Sequence, residues 1–381
     1  MIPGDAVLNA FINTNILIIV AYVLWWATRA ILNRTGQRNS HALQLRLLNM
    51  VFVAIVLSPF AVLGMSWLQN SGHALGLKLN LSDIVVAYYL NGGIEMQATQ
   101  FERLVNLRDS FTNNVLNAAG WVAWTVIAAF LFSLSIGVLR LFYSVFCLHR
   151  IVSNSYAWRR FGRVNLYLSD RTLVPFSTRG LRNYYLVFPA HMLGERRELK
   201  VSLAHELQHL RQADIGWEIA LETLKPLFFL NPAFHAWKRQ VEHLRELSCD
   251  AEILRRGRIN VDEYCETLLS VCQQSLRKDR VFVVAVPKVT LVTADRSNLM
   301  NGPRSFLHER IVSVLEQRNF RQSRWLYGAV LAPLVSAIML TAVVIQRPAD
   351  WSQDRLMLST VVNLERLDEI NRLSTIGRLR D

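Results

Sequence analysis

The sequence predicts an α-helical membrane protein with four transmembrane helices and an α+β domain inserted between the third and the fourth. Three observations predict it. Four runs of about 20 apolar residues are each long enough for roughly 30 Å of hydrocarbon. Between Cys147 and Arg324 there are 28 Lys and Arg against 18 Asp and Glu, which accounts for most of the chain's net charge of +13. Within that basic segment the apolar period changes from strand-like alternation to helical spacing, and the pentad His205-Glu206-Leu207-Gln208-His209 falls on one of the helical runs.

The spans are expected at about 7–26, 47–68, 118–139 and 325–345. The loop at 27–46 is basic (Arg29, Arg34, Arg38, Arg46), as is the 147–324 segment, whereas residues 69–117 carry net charge −1. Because Lys and Arg stay on the cytoplasmic side, residues 147–324 are expected in the cytoplasm, with segment 69–117, the tail 346–381 and both termini outside. Residues 1–146 thus form a membrane region with three spans and one external segment. Asp5, with no Lys or Arg before the first apolar run, does not suit a cleaved leader, so the first span is expected to be retained. A DNA-binding role for the positive charge is disfavoured, because no zinc-finger spacing or basic-region heptad accompanies it. Cys147, Cys249, Cys265 and Cys272 all fall in the cytoplasmic segment, which fits a reducing compartment better than a disulfide framework.

Taken in order, the inserted domain offers strand patterns at Val164–Leu168, Leu173–Phe176 and Tyr184–Phe188, then helices at Glu198–Asp214, Gly216–Phe229, Pro232–Arg255, Val261–Leu276 and Ser305–Gln317. Strands followed by helices imply an α+β domain. Asn231-Pro232 reads as a helix start, with Asn as N-cap and Pro at the first helical position. The Tyr184-Tyr185 run is expected as an edge strand able to pair with an extended substrate. Outside the domain, 83–90 and 95–107 are expected as short helices.

Two histidines four residues apart stand on one helical face, one turn above the other, where they can share one Zn²⁺; Glu206 beside them can take a proton from a water on the metal. The plain alternative is a pair of ordinary helix histidines. A catalytic zinc site needs a third protein ligand. Glu242, Glu246 and Asp250 form one stripe at i, i+4, i+8, which otherwise reads as a solvated face relieved by Lys238, Arg239 and Arg245, and the spacing permits Glu242 or Glu246 equally. Asp214, just after the pentad, suits either a helix start or a hydrogen bond to a ligating histidine. Cys265 and Cys272, seven apart, read as core rather than ligands, and His191, His235 and His243 have no partner spacing.

His205-Glu-Leu-Gln-His209, Asn231-Pro232 and Arg245-Glu246-Leu-Ser-Cys249-Asp250-Ala251 together resemble the integral-membrane gluzincin peptidases typified by the β-lactam sensor-transducers. Val174-Pro175-Phe176-Ser177 and Leu186-Val187-Phe188-Pro189 are similar to that family's strand region, and Leu307-His308-Glu309-Arg310-Ile311 to its closing helix. The resemblance covers most of residues 1–346. It implies a zincin-like (gluzincin) fold, Glu246 as the third ligand of one zinc per chain, and Asp250 as a residue that orients a ligating histidine. One feature departs from the family. About 35 residues follow Ile345, too few for a large external sensor domain, so antibiotic sensing is not expected. Ser275-Leu-Arg-Lys278 matches S-x-x-K by coincidence, on the cytoplasmic side. Leu364, Leu367, Ile370, Leu373, Ile376 and Leu379 give the tail an imperfect amphipathic stripe, suited to a membrane surface or a partner.

The expected activity is that of a zinc-dependent endopeptidase in a bacterial inner membrane. It would cut a protein substrate, such as a repressor or membrane-anchored regulator, at the cytoplasmic face in regulated proteolysis or signal transduction, with no direct nucleic-acid contact. The competing expectations are a membrane-protein quality-control protease and a non-catalytic assembly or regulatory protein that keeps the zinc fold. An intact Glu206 speaks against the latter, since a structural site needs no general base.

Overall fold

A computed structural model describes residues 4–70, 81–180, 182–277, 289–290, 306–316, 324–346 and 353–378. The chain begins with α1 (Gly4–Arg34) and α2 (His41–Asn70), continues through short helices α3 (Leu81–Leu90), α4 (Ala98–Val105) and α5 (Leu107–Leu116), and returns in α6 (Gly120–Ser153). Among the described residues four helices are long and apolar enough to cross a membrane: α1, α2, α6 and, after the sheet-bearing segment, α12 (Arg324–Val344). The first three helices run past the C-terminal ends of the expected spans, whereas the fourth matches its span to within one residue. Residues 140–153 contain no Gly or Pro, so nothing stops α6 at Leu139 and it continues to Ser153. The chain divides into two compact units, one made of Met1–Ala21, Val51–Leu131 and Ala332–Asp381, the other of Tyr22–Met50 and Phe132–Leu331.

In the first unit the tail forms α13 (Gln353–Arg378) and packs on α3 and α4. Leu358 and Val362 join Val86, Ala98 and Phe101 in a buried cluster, and Tyr89 stacks on Phe101 with ring centroids 3.9 Å apart. Three polar contacts set the register. Arg355 donates to Ser82 Oγ at 2.6 Å, Glu365 Oε2 accepts from the Thr99 backbone N–H at 2.9 Å, and Arg366 pairs with Glu102 at 2.8 Å. The second of these puts a carboxylate on an otherwise unpaired amide in the first turn of α4, where the helix dipole also favours negative charge. The tail therefore docks within its own chain. Leu364, Leu367 and Ile370, expected to bind a membrane or partner, stay more than half exposed, because the docking face is set by Leu358 and Val362, one helical turn apart. The side chains of Leu373 and Ile376, and all of Leu379, lie outside the described residues, as does Lys278 of the S-x-x-K match. The polar start of the first span is also accounted for: Arg108 on α5 donates to Asn9 Oδ1, Asn13 Oδ1 and the Ile345 carbonyl at 3.2, 2.7 and 2.9 Å.

In the second unit five strands, β1 (Tyr156–Phe161), β2 (Val164–Ser169), β3 (Phe176–Arg179), β4 (Tyr184–Pro189) and β5 (Val289–Thr290), form a sheet in the order β1-β2-β4-β3-β5. β2 and β4 are parallel, and the other pairs are antiparallel. β1 was not expected, since Arg159-Arg160 and five exposed positions hide its strand character; a tight turn with Gly162 at φ 58 folds it back on β2. β3 starts at Phe176 and so overlaps the expected 173–176 only at its last residue; Pro175, which cannot donate to a ladder, precedes it. β4 is an interior strand, bonded on one side to β2 and on the other to β3, so Tyr184-Tyr185 offers no free edge to a substrate.

Helices α7 (Arg196–Gln212), α8 (Asp214–Leu224), α9 (Pro232–Arg255), α10 (Val261–Arg277) and α11 (Phe306–Leu315) complete this unit. α8 ends at Leu224 rather than Phe229, because Pro226 has no backbone N–H with which to continue the helical ladder. The expected start of α9 is present: Asn231 Oδ1 accepts from the Ala233 and Phe234 amides at 3.0 and 3.4 Å, with Pro232 at the first helical position.

One close approach ties α6 to the loop after α8. A Cβ at Gly137 would lie 2.7 Å from Pro226 Cβ and 2.9 Å from its Cα, whereas one at Gly328 on α12 meets nothing within 4 Å. Gly137→Ala is expected to destabilise the protein by about 1–3 kcal/mol, the usual cost of overpacking. Gly328→Ala should be neutral or stabilising by up to about 1 kcal/mol, from helix propensity. The unfolding midpoints of the two variants in the same detergent check this.

Candidate metal centre

α7 is positioned by its leucines. Leu199, Leu203, Leu207 and Leu210 pack on Leu166, Leu186 and Phe188 of the sheet, while Val201 joins Cys249, Ile253 and Tyr264 beneath α9 and α10. With those faces fixed, His205, Glu206 and His209 are fully buried and the two imidazoles turn toward α9. Their Nε2 atoms converge at 3.0 Å. Glu246 on α9 brings Oε2 to 3.4 Å from His205 Nε2 and Oε1 to 3.7 Å from His209 Nε2.

The opposite ring nitrogens are held by other groups. His209 Nδ1 lies 2.8 Å from Asp214 Oδ2, and since a carboxylate only accepts, Nδ1 is the donor. Asp214 is therefore both the first residue of α8 and the orienter of a histidine. The left-handed turn at Ala213 (φ 58) ends α7 and starts α8 there. His205 Nδ1 lies 3.0 Å from the Tyr264 hydroxyl, which itself donates to Asp250 Oδ1; Asp250 is 3.6 Å from the ring. Asp250 is thus linked to the His205 ring through the Tyr264 hydroxyl. Arg310 on α11 closes the arrangement with two 2.7 Å hydrogen bonds to Asp250 and an Nη1 atom 3.3 Å from Glu246 Oε2.

The three acidic residues of the α9 stripe have separate surroundings. Glu242 is taken by Lys238, whose ammonium also binds Glu218 and Glu222 of α8 at 3.0 and 2.8 Å. Glu246 faces the histidines, and Asp250 faces Tyr264 and Arg310. His243 and His235 are engaged elsewhere, with Glu309 and the Phe229 carbonyl. Cys272 is buried in an apolar cluster and Cys265 packs against a second one. Tyr264 and Arg310 reach the site, and pattern reading gave neither of them a role there. The signal for Arg310 was present: it is an arginine in a short, largely apolar helix.

Burial sets the protonation states. It lowers His205 to about 3, with Arg310 adding to the fall, and lowers His209 against the pull of Asp214; both rings are neutral near pH 7, as metal ligands must be. It raises Glu246, and raises Glu206 to about 8, with the Ser177 hydroxyl and Arg310 opposing and Glu246 reinforcing the rise. Burial also pushes Asp250 upward, but Arg310 outweighs it and holds this carboxyl below its usual value.

These residues fit a divalent cation. With both Nδ1 atoms donating, the two Nε2 lone pairs face each other at 3.0 Å, an arrangement that calls for a shared positive charge. Neither oxygen of Glu206 nor Oε2 of Glu246 has a hydrogen bond of good geometry, although all three are buried. Cys249 is a further donor, its sulfur within 4.8 Å of the His205 and His209 ligand atoms. It sits 3.7 Å from His205 Nδ1, the nitrogen already held by Tyr264, and burial raises its thiol well above the ordinary value.

The family described as BlaR1 peptidase M56 matches residues 7–292, about three quarters of the chain. The fold and site define a membrane protein of metallopeptidase type. The chain belongs to the BlaR1 peptidase M56 family. No curated protein matches it.

Asp214→Asn and Tyr264→Phe each leave a ring nitrogen with a poorer partner and should weaken metal retention about 10–100-fold. Glu242→Gln, which removes a carboxylate bound to Lys238, should leave it unchanged. Metal content after graded chelator dialysis distinguishes the three.

Proposed function

We propose that this chain is a zinc endopeptidase of the HExxH gluzincin type, with a zincin-like catalytic domain over residues 147–324. In this reading His205, His209 and Glu246 hold one zinc, Glu206 is the general base, and Asp250 orients His205 through Tyr264. The observation that carries it is the meeting of two neutral imidazoles and a carboxylate next to a buried glutamate neither of whose oxygens has a hydrogen bond of good geometry. A zinc ion held there would polarise the scissile carbonyl and acidify water. Glu206 accepts the proton of the attacking water on a carboxylate oxygen as the hydroxyl joins the carbonyl carbon. It then passes that proton to the amide nitrogen as the C–N bond breaks. Burial alone, which raises Glu206 to about 8, would leave it mostly protonated near pH 7; a divalent cation beside it would favour the carboxylate form that accepts the proton. Glu206 is fully enclosed, so a substrate reaches it only when covering chain moves aside.

The basic loop at 27–46 and the basic domain favour a cytoplasmic catalytic side with both termini external, in a bacterial inner membrane. The substrate class proposed is a protein cut at that face in regulated proteolysis, such as a repressor or membrane-anchored regulator. Glu206→Gln should retain zinc, lose cleavage and trap that substrate for mass spectrometry. Unchanged cleavage by this variant would overturn the mechanism, and many unrelated trapped clients would point instead to quality control. A reporter fused after Ser153 should be active only as a cytoplasmic fusion; activity as an external one would invert the orientation.

A further inference from the structure

One end of the sheet gathers exposed arginines. β2 and β4 run parallel with Val164 opposite Tyr184, so the β1–β2 turn and the β3–β4 turn lie side by side at that end. The Tyr184 amide donates to the Arg163 carbonyl at 2.8 Å and ties the two turns together. Arg159, Arg160 and Arg163 come from the first turn and its approach, Arg179 and Arg182 from the second, and all five are exposed.

Their charge is uncompensated. None of the five forms an ion pair with a carboxylate among the described residues, and their contacts are with neutral groups. Arg160 donates to the Gly162 carbonyl at 3.2 Å, while Arg159 and Arg179 each lie 5.5 Å from a ring centre, of Trp158 and Tyr184 respectively. Between Asp109 and Glu195 the sequence has a single acidic residue, Asp170. It follows the last residue of β2, about 20 Å along the strand from the turn.

Two further observations say what covers this end. α6, long and apolar enough to cross a membrane, ends at Ser153, and β1 begins at Tyr156. Asn154 and Ser155 alone separate the basic hairpin from a membrane helix. Tyr156 and Phe161, at the two ends of β1, are 65% and 60% exposed. Aromatic rings beside arginines suit a membrane–water interface, where the rings enter the headgroup region and the cations meet lipid phosphate. An acidic protein would also answer the charge, but it must arrive by diffusion, whereas the chain itself holds the bilayer beside the hairpin.

We infer that the β1–β2 hairpin, with the neighbouring β3–β4 turn, docks on the anionic lipid surface of the membrane that the chain spans. The five arginines take lipid phosphates, and Phe161 enters between the headgroups. No residue of the metal centre takes part, so the inference is independent of the peptidase reading.

The test is hydrogen exchange, read by mass spectrometry, on the full-length protein in two kinds of lipid nanodisc. One contains phosphatidylcholine alone, the other equal parts of phosphatidylcholine and phosphatidylglycerol. Amides of residues 156–163 should exchange at least threefold more slowly in the anionic discs, and salt that screens surface charge should remove the difference. Amides of α9 should be the same in both. The triple variant Arg159→Gln, Arg160→Gln, Arg163→Gln should lose the lipid dependence while exchanging like wild type in phosphatidylcholine. The double variant Arg163→Gln, Arg182→Gln should weaken it and keeps the fold in reach of the test, since neither side chain makes a hydrogen bond or ion pair among the described residues. Equal exchange of the wild type in both discs would overturn the proposal. So would lipid-dependent protection that persists in a folded triple variant, or protection by soluble polyglutamate with none from phosphatidylglycerol, which would make the occupant an acidic protein.

Discussion

Burying four carboxylates around two neutral imidazoles is costly, and the arrangement where α7 meets α9 is organised to offset that cost. An unpaired ion in such surroundings is not tolerated unless it is neutralised, paired or metal-bound. Glu206, Glu246, Asp250 and Asp214 have one guanidinium at contact distance among the described residues, Arg310, because Arg245 is paired with Glu218 at 2.6 Å. Arg310 gives two hydrogen bonds to Asp250 and touches Glu246, and so links the carboxylate behind His205 to the one in front of it. The remaining negative charge and the two converging nitrogen lone pairs lie together, where a divalent cation would compensate both.

The rest of the second unit serves to hold that charge cluster in register. One face of α7 is locked to the sheet by four leucines, so the histidines cannot rotate away from α9. On α9, Asn231 and Pro232 set the start of the helix, and Lys238, about two turns before Glu246, binds Glu218, Glu222 and Glu242. Lys238 is strongly held as a cation by these three acids, which outweigh its burial. Buried ion pairs of this kind add little net stability against an apolar alternative, but removing one partner leaves an uncompensated charge. They therefore fix which turn of α9 faces the histidines.

Local patterns made much of this legible in the sequence. The H-E-x-x-H spacing, the carboxylate stripe, the Asn-Pro helix start and the four apolar runs each depend on residues within one helix, where 3.6-residue geometry decides the neighbours. What the pattern left open was set by residues far along the chain. Glu242 and Glu246 are equivalent by spacing and are separated by Glu218 and Glu222 of α8. Tyr264 and Arg310, 59 residues from His205 and 60 from Asp250, reach the site from α10 and α11. The tail showed the same limit: its apolar stripe was visible, but the face that docks was chosen by Val86, Ala98 and Phe101 some 260 residues earlier. β1 was hidden because its strand character depends on pairing with β2 rather than on its own composition.

The central claim is that a metal in this protein is held by His205, His209 and Glu246, with Cys249 excluded. X-ray absorption at the zinc edge on the purified, zinc-loaded full-length protein tests it directly. The account predicts a first shell of nitrogen and oxygen at about 2.0–2.2 Å, with two imidazoles and no sulfur, unchanged in Cys249→Ser. A sulfur shell at about 2.3 Å that disappears in Cys249→Ser would contradict it.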